Sequence, residues 1–247
     1  MRKGNIGSFD KHVTIFSREG RLFQVEYAFK ASKNFGSTCI GLKGNDTVCG
    51  IIDQKNIELI NDQYSTPNFF QAGDKIGCLC SGFPGDILML KNYVNDEVSK
   101  YFFKFGHNIP IEYLNKKLSD KNQIHTQYAY TRPLAVKTII IGVDSDLGPK
   151  LYKSDPSGHS SSQLVCAIGE KEEEVNNYVS KKLKYYTSSN FSQLITITNT
   201  ILLLQRVLKR DVRTSDFKIV MSTTKMNKIR ILDDDEVDVY LSYLENL

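Results

Sequence analysis

Apolar positions recur with two different periods along this 247-residue chain, and the alternation between the two outlines its fold. Alternating or continuous apolar stretches predict strands over residues 37–43, 47–53, 76–81, 136–143, 151–153, 163–168, 217–222 and 228–231. Helical spacing predicts helices from Leu22, over residues 86–105, from Pro110, over 171–186 and 192–208, and from Asp233. The order is therefore strands, two helices, strands, two helices and strands, with a further helix at each end.

Two antiparallel sheets packed face to face, with a helix pair outside each sheet, satisfy this order. The predicted fold class is α+β: a four-layer αββα sandwich with an extra N-terminal helix. No linker, repeat or low-complexity segment divides the chain. We expect residues 9–247 to form a single domain, preceded by a polar, flexible tail over residues 1–8.

The segment from Phe16 to Ala31 is predicted to form a turn followed at once by a helix. Ser17 to Arg21 would hold the turn, with Gly20 free to adopt a positive φ angle. The helix then carries two apolar faces, one made of Leu22, Val25 and Phe29 and the other of Phe23, Tyr27 and Ala31. Such a helix is either buried between elements of its own domain, or covered once by that domain and once by something else.

Composition narrows the functional classes. The chain is 40% hydrophobic and 24% charged, as ordinary soluble proteins are, and its net charge of +4 is too slight to indicate nucleic acid or membrane binding. The 5 cysteines are odd in number, and most lie within apolar runs. Met1 to Lys11 lacks the apolar centre of a signal peptide, so free, buried thiols in a reducing compartment are expected.

Signals for a small-molecule or metal site are weak. The 4 histidines lack metal-ligand spacing and no nucleotide-binding motif is present, so no metal or cofactor is predicted. The acidic runs at 172–174 and 233–236 lie at the N-termini of predicted helices, where negative charge complements the helix dipole, an explanation favoured over a divalent-cation site at 233–236. The basic run Lys181 to Lys184 is either a nuclear localisation patch or the exposed face of a helix.

Residues 16–28, FSREGRLFQVEYA, resemble the signature FSPxGRLxQVEYA that opens the alpha-type subunits of the 20S proteasome. Arg18 alone departs, since it stands at the proline position. Residues 132–169 also resemble the family pattern RPLxxxxxxxGxDxxxGPxLYxxDPSGxxxxxxAxAIG. The resemblance extends from Phe9 to about Leu244, and Phe9 to Ala31 is most similar to the class that stands first in systematic ring order. The resemblance to alpha-type subunits implies the αββα fold of N-terminal nucleophile hydrolases.

The resemblance implies a non-catalytic structural subunit of the core particle, which forms the outer, heptameric alpha ring. Such a subunit contributes to the gate for substrates and to the docking of regulatory caps in ubiquitin-dependent protein degradation. Its implied partners are other alpha subunits, the beta subunits of the inner rings, the caps, and unfolded proteins that pass the gate. Its implied location is the cytoplasm and nucleus.

The same fold supports an alternative function, a processed N-terminal nucleophile hydrolase. Ser37 stands where catalytic beta subunits carry their nucleophile, and Asp53 aligns with their nearby aspartate. The lysine of those subunits has no clear match in Asn68-Phe69-Phe70. Cleavage between Gly36 and Ser37 would free the α-amino group that serves as general base, but it would also discard the most specific motif of the chain.

The family gate depends on a Tyr-Asp-Arg triplet near the end of the tail, which contacts neighbouring tails and the turn proline. Here the triplet is Phe9-Asp10-Lys11, and Arg18 replaces the proline. Phe9 lacks the hydroxyl and Lys11 lacks the guanidinium fork, so we expect packing and Asp10 to support the gate.

Two further sites follow from the resemblance. Phe23, Val25 and Tyr27 of the opening helix are expected to contact the ring. Family members also offer a lysine that holds the C-terminal carboxylate of a cap. Alignment places Glu58 at that position, where a carboxylate would repel the cap, and Lys55 is the alternative counterpart.

Overall fold

A computed structural model describes residues 12–54, 68–188 and 190–245, with the side chain of Ser188 left aside. Its helices are α1 (Phe23–Asn34), α2 (Pro84–Phe105), α3 (Ile111–Gln127), α4 (Glu172–Lys181), α5 (Leu183–Ser188), α6 (Gln193–Leu208) and α7 (Asp234–Glu245). Its strands are β1 (Cys39–Lys43), β2 (Thr47–Asp53), β3 (Phe69–Ala72), β4 (Ile76–Gly82), β5 (Val136–Asp144), β6 (Gly148–Ser154), β7 (Ser160–Ser162), β8 (Val165–Ile168), β9 (Phe217–Thr223) and β10 (Ile229–Ile231).

The described strands form two antiparallel sheets. The first sheet has the order β10-β9-β2-β1-β8, and the second sheet has the order β3-β4-β5-β6-β7. Hairpins join β1 to β2, β9 to β10, β3 to β4, β5 to β6 and β6 to β7, as in the pairing of Ile40 with Ile51 and of Ile140 with Tyr152, whereas the ladders β2-β9, β1-β8 and β4-β5 join more distant segments. Short hairpin loops fix these registers, because a slip by one residue would turn the apolar side chains outward.

Three apolar clusters fill the spaces between layers. One lies between the sheets and includes Leu79, Ile139 and Val220. A second lies between the first sheet and helices α4, α5, α6 and α7, and a third between the second sheet and helices α2 and α3. The predicted αββα sandwich with an additional N-terminal helix is thus confirmed.

Local signals explain most element ends. Helix α2 begins at Pro84, whose missing N–H is not needed in the first turn, and it ends at Gly106 in the left-handed conformation. Acidic side chains fill the first turns of α4 and α7, as predicted. Cys78 and Cys80 point together into the cluster beneath α2 and α3, and all five thiols are free and buried.

The structure also corrects the sequence-based elements. Strands β3 and β7 were not predicted, because a strand of four residues and one of three serines carry little local signal. The helix predicted over 171–186 is interrupted at Lys182, after which Tyr186 packs near Phe191 in the core. Ile124, in the last turn of α3, and Val239, in the middle of α7, are exposed, although both belong to the apolar spacing that predicts these helices.

Candidate functional site: the N-terminal helix and the surroundings of Ser37

The turn that leads into α1 closes without a proline. The backbone N–H of Gly20 donates to the carbonyl of Ser17 at 2.9 Å, and the N–H of Ser17 donates to the carbonyl of Arg21 at 2.9 Å. The Ser17 hydroxyl accepts a third bond from the N–H of Arg21 at 3.1 Å, and Gly20 has a φ of +75°. Arg18 is exposed at the second turn position, so Ser17 and Gly20 supply the rigidity that proline would have given.

Helix α1 has an inner and an outer face, but they differ in part from the predicted ones. Val25, Ala28 and Ser32 are buried against strands β4 and β5. Val25 is only 7% exposed, so it belongs to the core of this chain, and ring contact is left as a prediction for Phe23 and Tyr27. Tyr27, on the outer face, is 40% exposed. The second apolar face is therefore real, and within the described chain much of it faces outward.

A groove of about 310 Å³ runs beside this outer face. Gln24, Tyr27 and Ala31 form one wall, and Phe83 with Arg132 and Pro133 forms the other. Asp86, buried in the first turn of α2, clamps the second wall. Its carboxylate accepts from both terminal nitrogens of Arg132 at 2.6 Å and from the N–H of Ala135 at 2.9 Å. These hydrogen bonds hold the segment 132–134 (Arg-Pro-Leu) in a fixed position beside α1.

Tyr130 lies just before that segment and was missed by the sequence analysis. Its side chain is fully exposed. Its φ of +64° places the backbone in the left-handed region, which residues other than Gly, Asn and Asp rarely adopt. Nothing in the sequence distinguishes such a tyrosine from one in an ordinary loop. Together with Tyr27, Phe35 and Phe83 it gives this side of the chain several exposed aromatic rings.

Ser37, the predicted counterpart of a nucleophile, is fixed as a structural residue. Its hydroxyl accepts a hydrogen bond from the side-chain amide of Asn68 at 2.9 Å, and its carbonyl accepts one from the hydroxyl of Ser81 at 2.8 Å. Its carbonyl also lies so close to Gly169 (φ +98°) that a side chain there would overlap it. An amide, not a lysine, thus contacts the hydroxyl.

Asp53 is the second residue of this chain that aligns with a catalytic residue of beta subunits. It is buried at the end of β2, and its backbone N–H donates to the carbonyl of Thr38 at 2.9 Å. The nitrogen of Ser37 is part of the peptide bond to Gly36 and cannot act as a general base. Among the described residues, the Ser37 hydroxyl is thus seen to bond to an amide, and the amine that would take its proton is blocked.

A charged cluster lies beneath α1, centred on Glu172 at the start of α4. Its two carboxylate oxygens accept one bond each from the ammonium groups of Lys137 and Lys153, both at 2.6 Å. Burial raises the pKa of Glu172, but the bonds from the two lysines outweigh it and hold the pKa below its usual value. Lys137 also lies 5.2 Å from the ring centre of Phe29 of α1.

A second pair reaches α1 directly, since Lys33 Nζ lies 2.7 Å from Glu173 Oε1. The acidic start of α4 therefore does more than complement a helix dipole: it links the second sheet and α1 to the helix layer outside the first sheet. The lysines that complete the cluster are distant in sequence, and no local pattern could have identified them.

The remaining predicted residues divide into two groups. Phe9, Asp10, Lys11, Lys55 and Glu58 lie outside the described residues, so their roles stay predictions. Lys181 to Lys184 are exposed where α4 gives way to α5. In the described ranges, no three or more His, Cys, Asp or Glu side chains come together as they would around a metal ion. No helix of the described chain is long and apolar enough to cross a bilayer.

Burial also accounts for the cysteines. It raises the pKa of Cys49, Cys80 and Cys166 to about 12, and that of Cys39 and Cys78 well above the usual value. Thiols in this state are not nucleophiles near neutral pH.

Comparisons with known proteins agree with this geometry. The family profile described as "Proteasome subunit" matches residues 33–223, and the profile for the N-terminal signature of A-type proteasome subunits matches residues 9–31. The chain is similar to proteasome subunit alpha type-6 of Caenorhabditis elegans, with 30% identity over 246 residues covering 100% of this chain and 99% of the relative.

Two further relatives extend the likeness. A probable proteasome subunit alpha type-1 of Schizosaccharomyces pombe is 32% identical over 94% of this chain and 95% of its own length. A proteasome subunit alpha of Saccharolobus islandicus is 30% identical over 88% of this chain and 86% of its own length.

Proposed function

The chain belongs to the proteasome subunit family as a non-catalytic alpha-type subunit of an outer ring, and from this premise we propose that its tail and opening helix form part of the gate that controls access of unfolded proteins to the chamber. The observation that carries the proposal is the alpha-type signature, which matches residues 9–31 and here forms a closed turn and a helix seated ahead of Ser37. Such subunits assemble in rings with other proteasome subunits.

The finer assignments belong to the same proposal. The neighbours are other alpha subunits in a heptameric ring, beta subunits of the inner rings, and regulatory caps, and the location is the cytoplasm and nucleus. The chain takes the position of the alpha type-6 class, which its similarity to the Caenorhabditis elegans relative supports. The outer face of α1, with Phe23 and Tyr27, would contact a neighbouring subunit and so remove its apolar area from water.

The position of the chain in a particle can be tested by native mass spectrometry of the purified protein. We expect a complex with other proteasome subunits in which this chain keeps residues 1–36. A lone monomer would contradict the ring. A species that begins at Ser37 and reacts with a threonine-protease inhibitor would instead establish the alternative, a processed hydrolase, which the bonding of Ser37 to Asn68 disfavours.

The gate is tested separately on the assembled particle. Deleting residues 1–11 should raise basal hydrolysis of a fluorogenic peptide, because the tail would no longer obstruct the pore. Asp10→Ala should raise it partly, and Asp10→Glu, which keeps the charge, should raise it less. If Asp10→Ala left hydrolysis unchanged while the deletion raised it, Asp10 would have no part in the gate.

The cap pocket requires a choice between two residues. We propose that Lys55 holds the C-terminal carboxylate of a cap, because Glu58 would repel it. Lys55→Ala should then reduce the stimulation of peptide hydrolysis by a cap, and Glu58→Ala should leave it unchanged or raise it. The reverse pattern would assign the pocket to position 58.

A further inference from the structure

Strand β7 forms one edge of the second sheet, and its outer side is not paired with another described strand. The strand consists of Ser160, Ser161 and Ser162, and β6 is its neighbour on the inner side. Edge strands usually carry a lysine, a proline or a bulge that discourages further pairing. These three serines offer no such obstacle.

The hydrogen-bond pattern shows which backbone groups of β7 point outward. The N–H of Asp155 donates to the carbonyl of His159 at 3.1 Å, and the N–H of Gln163 donates to the carbonyl of Leu151 at 2.9 Å. Hydrogen-bonded and non-hydrogen-bonded pairs alternate along an antiparallel ladder. The backbone N–H and C=O of Ser161, which lies opposite Lys153, therefore also point toward β6. Ser160 and Ser162 therefore direct their N–H and C=O groups away from the sheet.

A cleft of about 580 Å³ opens beside this edge, between β7 and α3. Two polar side chains of α3 line it, and both are buried: Asn115 is 6% exposed and Ser119 is 9% exposed. Asn115 donates through Nδ2 to the Ser160 hydroxyl at 3.1 Å, but its Oδ1 has no hydrogen-bond partner, and neither has the hydroxyl of Ser119. Buried polar atoms without partners are costly, so a polar group that reached these two atoms from the cleft would stabilise them.

We propose that an extended segment of the adjoining proteasome subunit pairs with β7 as an additional strand of the second sheet and places an asparagine or glutamine side chain in the cleft. Ser160 and Ser162 present donor and acceptor pairs about 7 Å apart, a spacing that matches alternate residues of an extended polypeptide. If the side chains of Asn115 and Ser119 turned toward the cleft, a carboxamide there would donate to Asn115 Oδ1 and accept from the Ser119 hydroxyl, because both atoms are otherwise shielded within this chain.

The ring assembly and the charge of the cleft both indicate that the segment beside β7 belongs to the adjoining subunit. The inference rests on the proposed function, because a ring holds another proteasome subunit permanently against each side of this chain. Glu112 and Lys116 at the cleft mouth carry opposite charges, so the site favours a neutral polar segment over a charged one. A strand added at this edge would join the two subunits through backbone bonds, which depend little on side-chain sequence.

Amide hydrogen exchange, resolved to single residues, compares the full-length chain alone with the same chain in the native particle. We expect the amides of Ser160 and Ser162 to exchange at least about tenfold more slowly in the particle, as each gains a hydrogen bond. The amide of Ser161 is bonded to β6 in both states and serves as the internal control. Unchanged exchange at Ser160 and Ser162 in the particle would refute the added strand.

A pair of variants at one position tests the backbone bond directly. Ser162→Pro removes an outward N–H without breaking a bond to β6, whereas Ser162→Ala keeps that N–H. We expect equal thermal unfolding of the two isolated chains, but at least about tenfold weaker incorporation of the proline variant when the two compete for the ring. Equal incorporation would contradict the inference.

These outcomes separate the two proposals. If the wild-type chain entered no particle at all, the ring function itself would fail. If it entered the particle while the amides of Ser160 and Ser162 exchanged freely, only the added strand would be wrong, and water alone would fill the cleft.

Discussion

Replacing Glu172 with glutamine should destabilise this chain more than any change in a neighbouring acidic residue. The side chains of Glu172, Lys137 and Lys153 are 15%, 12% and 20% exposed, so the cluster is largely shielded from water. Glutamine keeps the size but removes the charge that compensates two ammonium groups. Removing one partner of a buried ion pair costs about 3–5 kcal/mol, and we expect the lower end, about 3 kcal/mol, because glutamine retains one acceptor.

Urea unfolding followed by circular dichroism measures this loss, and Glu173→Gln is the matched control. Glu173 is the next residue and also pairs with a lysine, Lys33, but both side chains of that pair are exposed. Exposed pairs contribute little, so the control should unfold like the wild type. In a thermal melt, about 3 kcal/mol corresponds to a decrease of about 6–12 °C for a chain of this length. Equal stabilities of the two variants would refute the assigned role.

The pH dependence gives a second test of the same cluster. The pKa of Glu172 in the folded chain lies below its ordinary value of 4.5. A carboxyl group of this kind stabilises the fold fully above its unfolded pKa and loses that contribution as the pH falls through the folded pKa. The stability difference between wild type and Glu172→Gln should therefore be constant from pH 7 down to about 5 and narrow in stronger acid. A difference that grew with acidity would contradict the mechanism.

Three further outcomes are expected. Arg18→Pro should stabilise the chain by about 0.4–1 kcal/mol in urea unfolding, because proline suits the second position of the turn; destabilisation would show that the backbone there differs. Asp86→Ala should cost about 2–3 kcal/mol, because the Ala135 N–H and Arg132 lose their acceptor, whereas exposed Asp120→Ala should be neutral; equal effects would argue against the clamp. The five buried thiols should react with a maleimide only after unfolding, and rapid labelling of the native chain would contradict their burial.

The sequence could predict those parts of the structure that depend on patterns among neighbouring residues. Gly20 marks the turn, the spacing of Leu22, Val25 and Phe29 marks a helix, and the β-branched run from Val136 marks a buried strand. Pro84 and Gly106 mark the two ends of α2 through the same local physics. These features depend on backbone conformation within a few residues.

The features that escaped prediction depend on contacts between distant segments. Asn68 meets Ser37 across 31 positions, and Lys137 meets Glu172 across 35. Strand β7 exists because β6 pairs with it, since serine has little preference for strands. The resemblance groups Val25 with Phe23 and Tyr27 at the ring, but Val25 is buried in this chain, which agrees with the periodicity that places it on the other face.

The seat of α1 has a consequence for the order of events during synthesis. The helix leaves the ribosome early, but β5, which covers its inner face together with β4, ends at Asp144, 110 residues after Asn34. At about 5–20 residues per second, this interval lasts roughly 6–22 s. For that time the nascent helix exposes apolar side chains that only later strands can cover. A chaperone or an already folded neighbour that shielded it during this delay would raise the yield of correctly folded subunit.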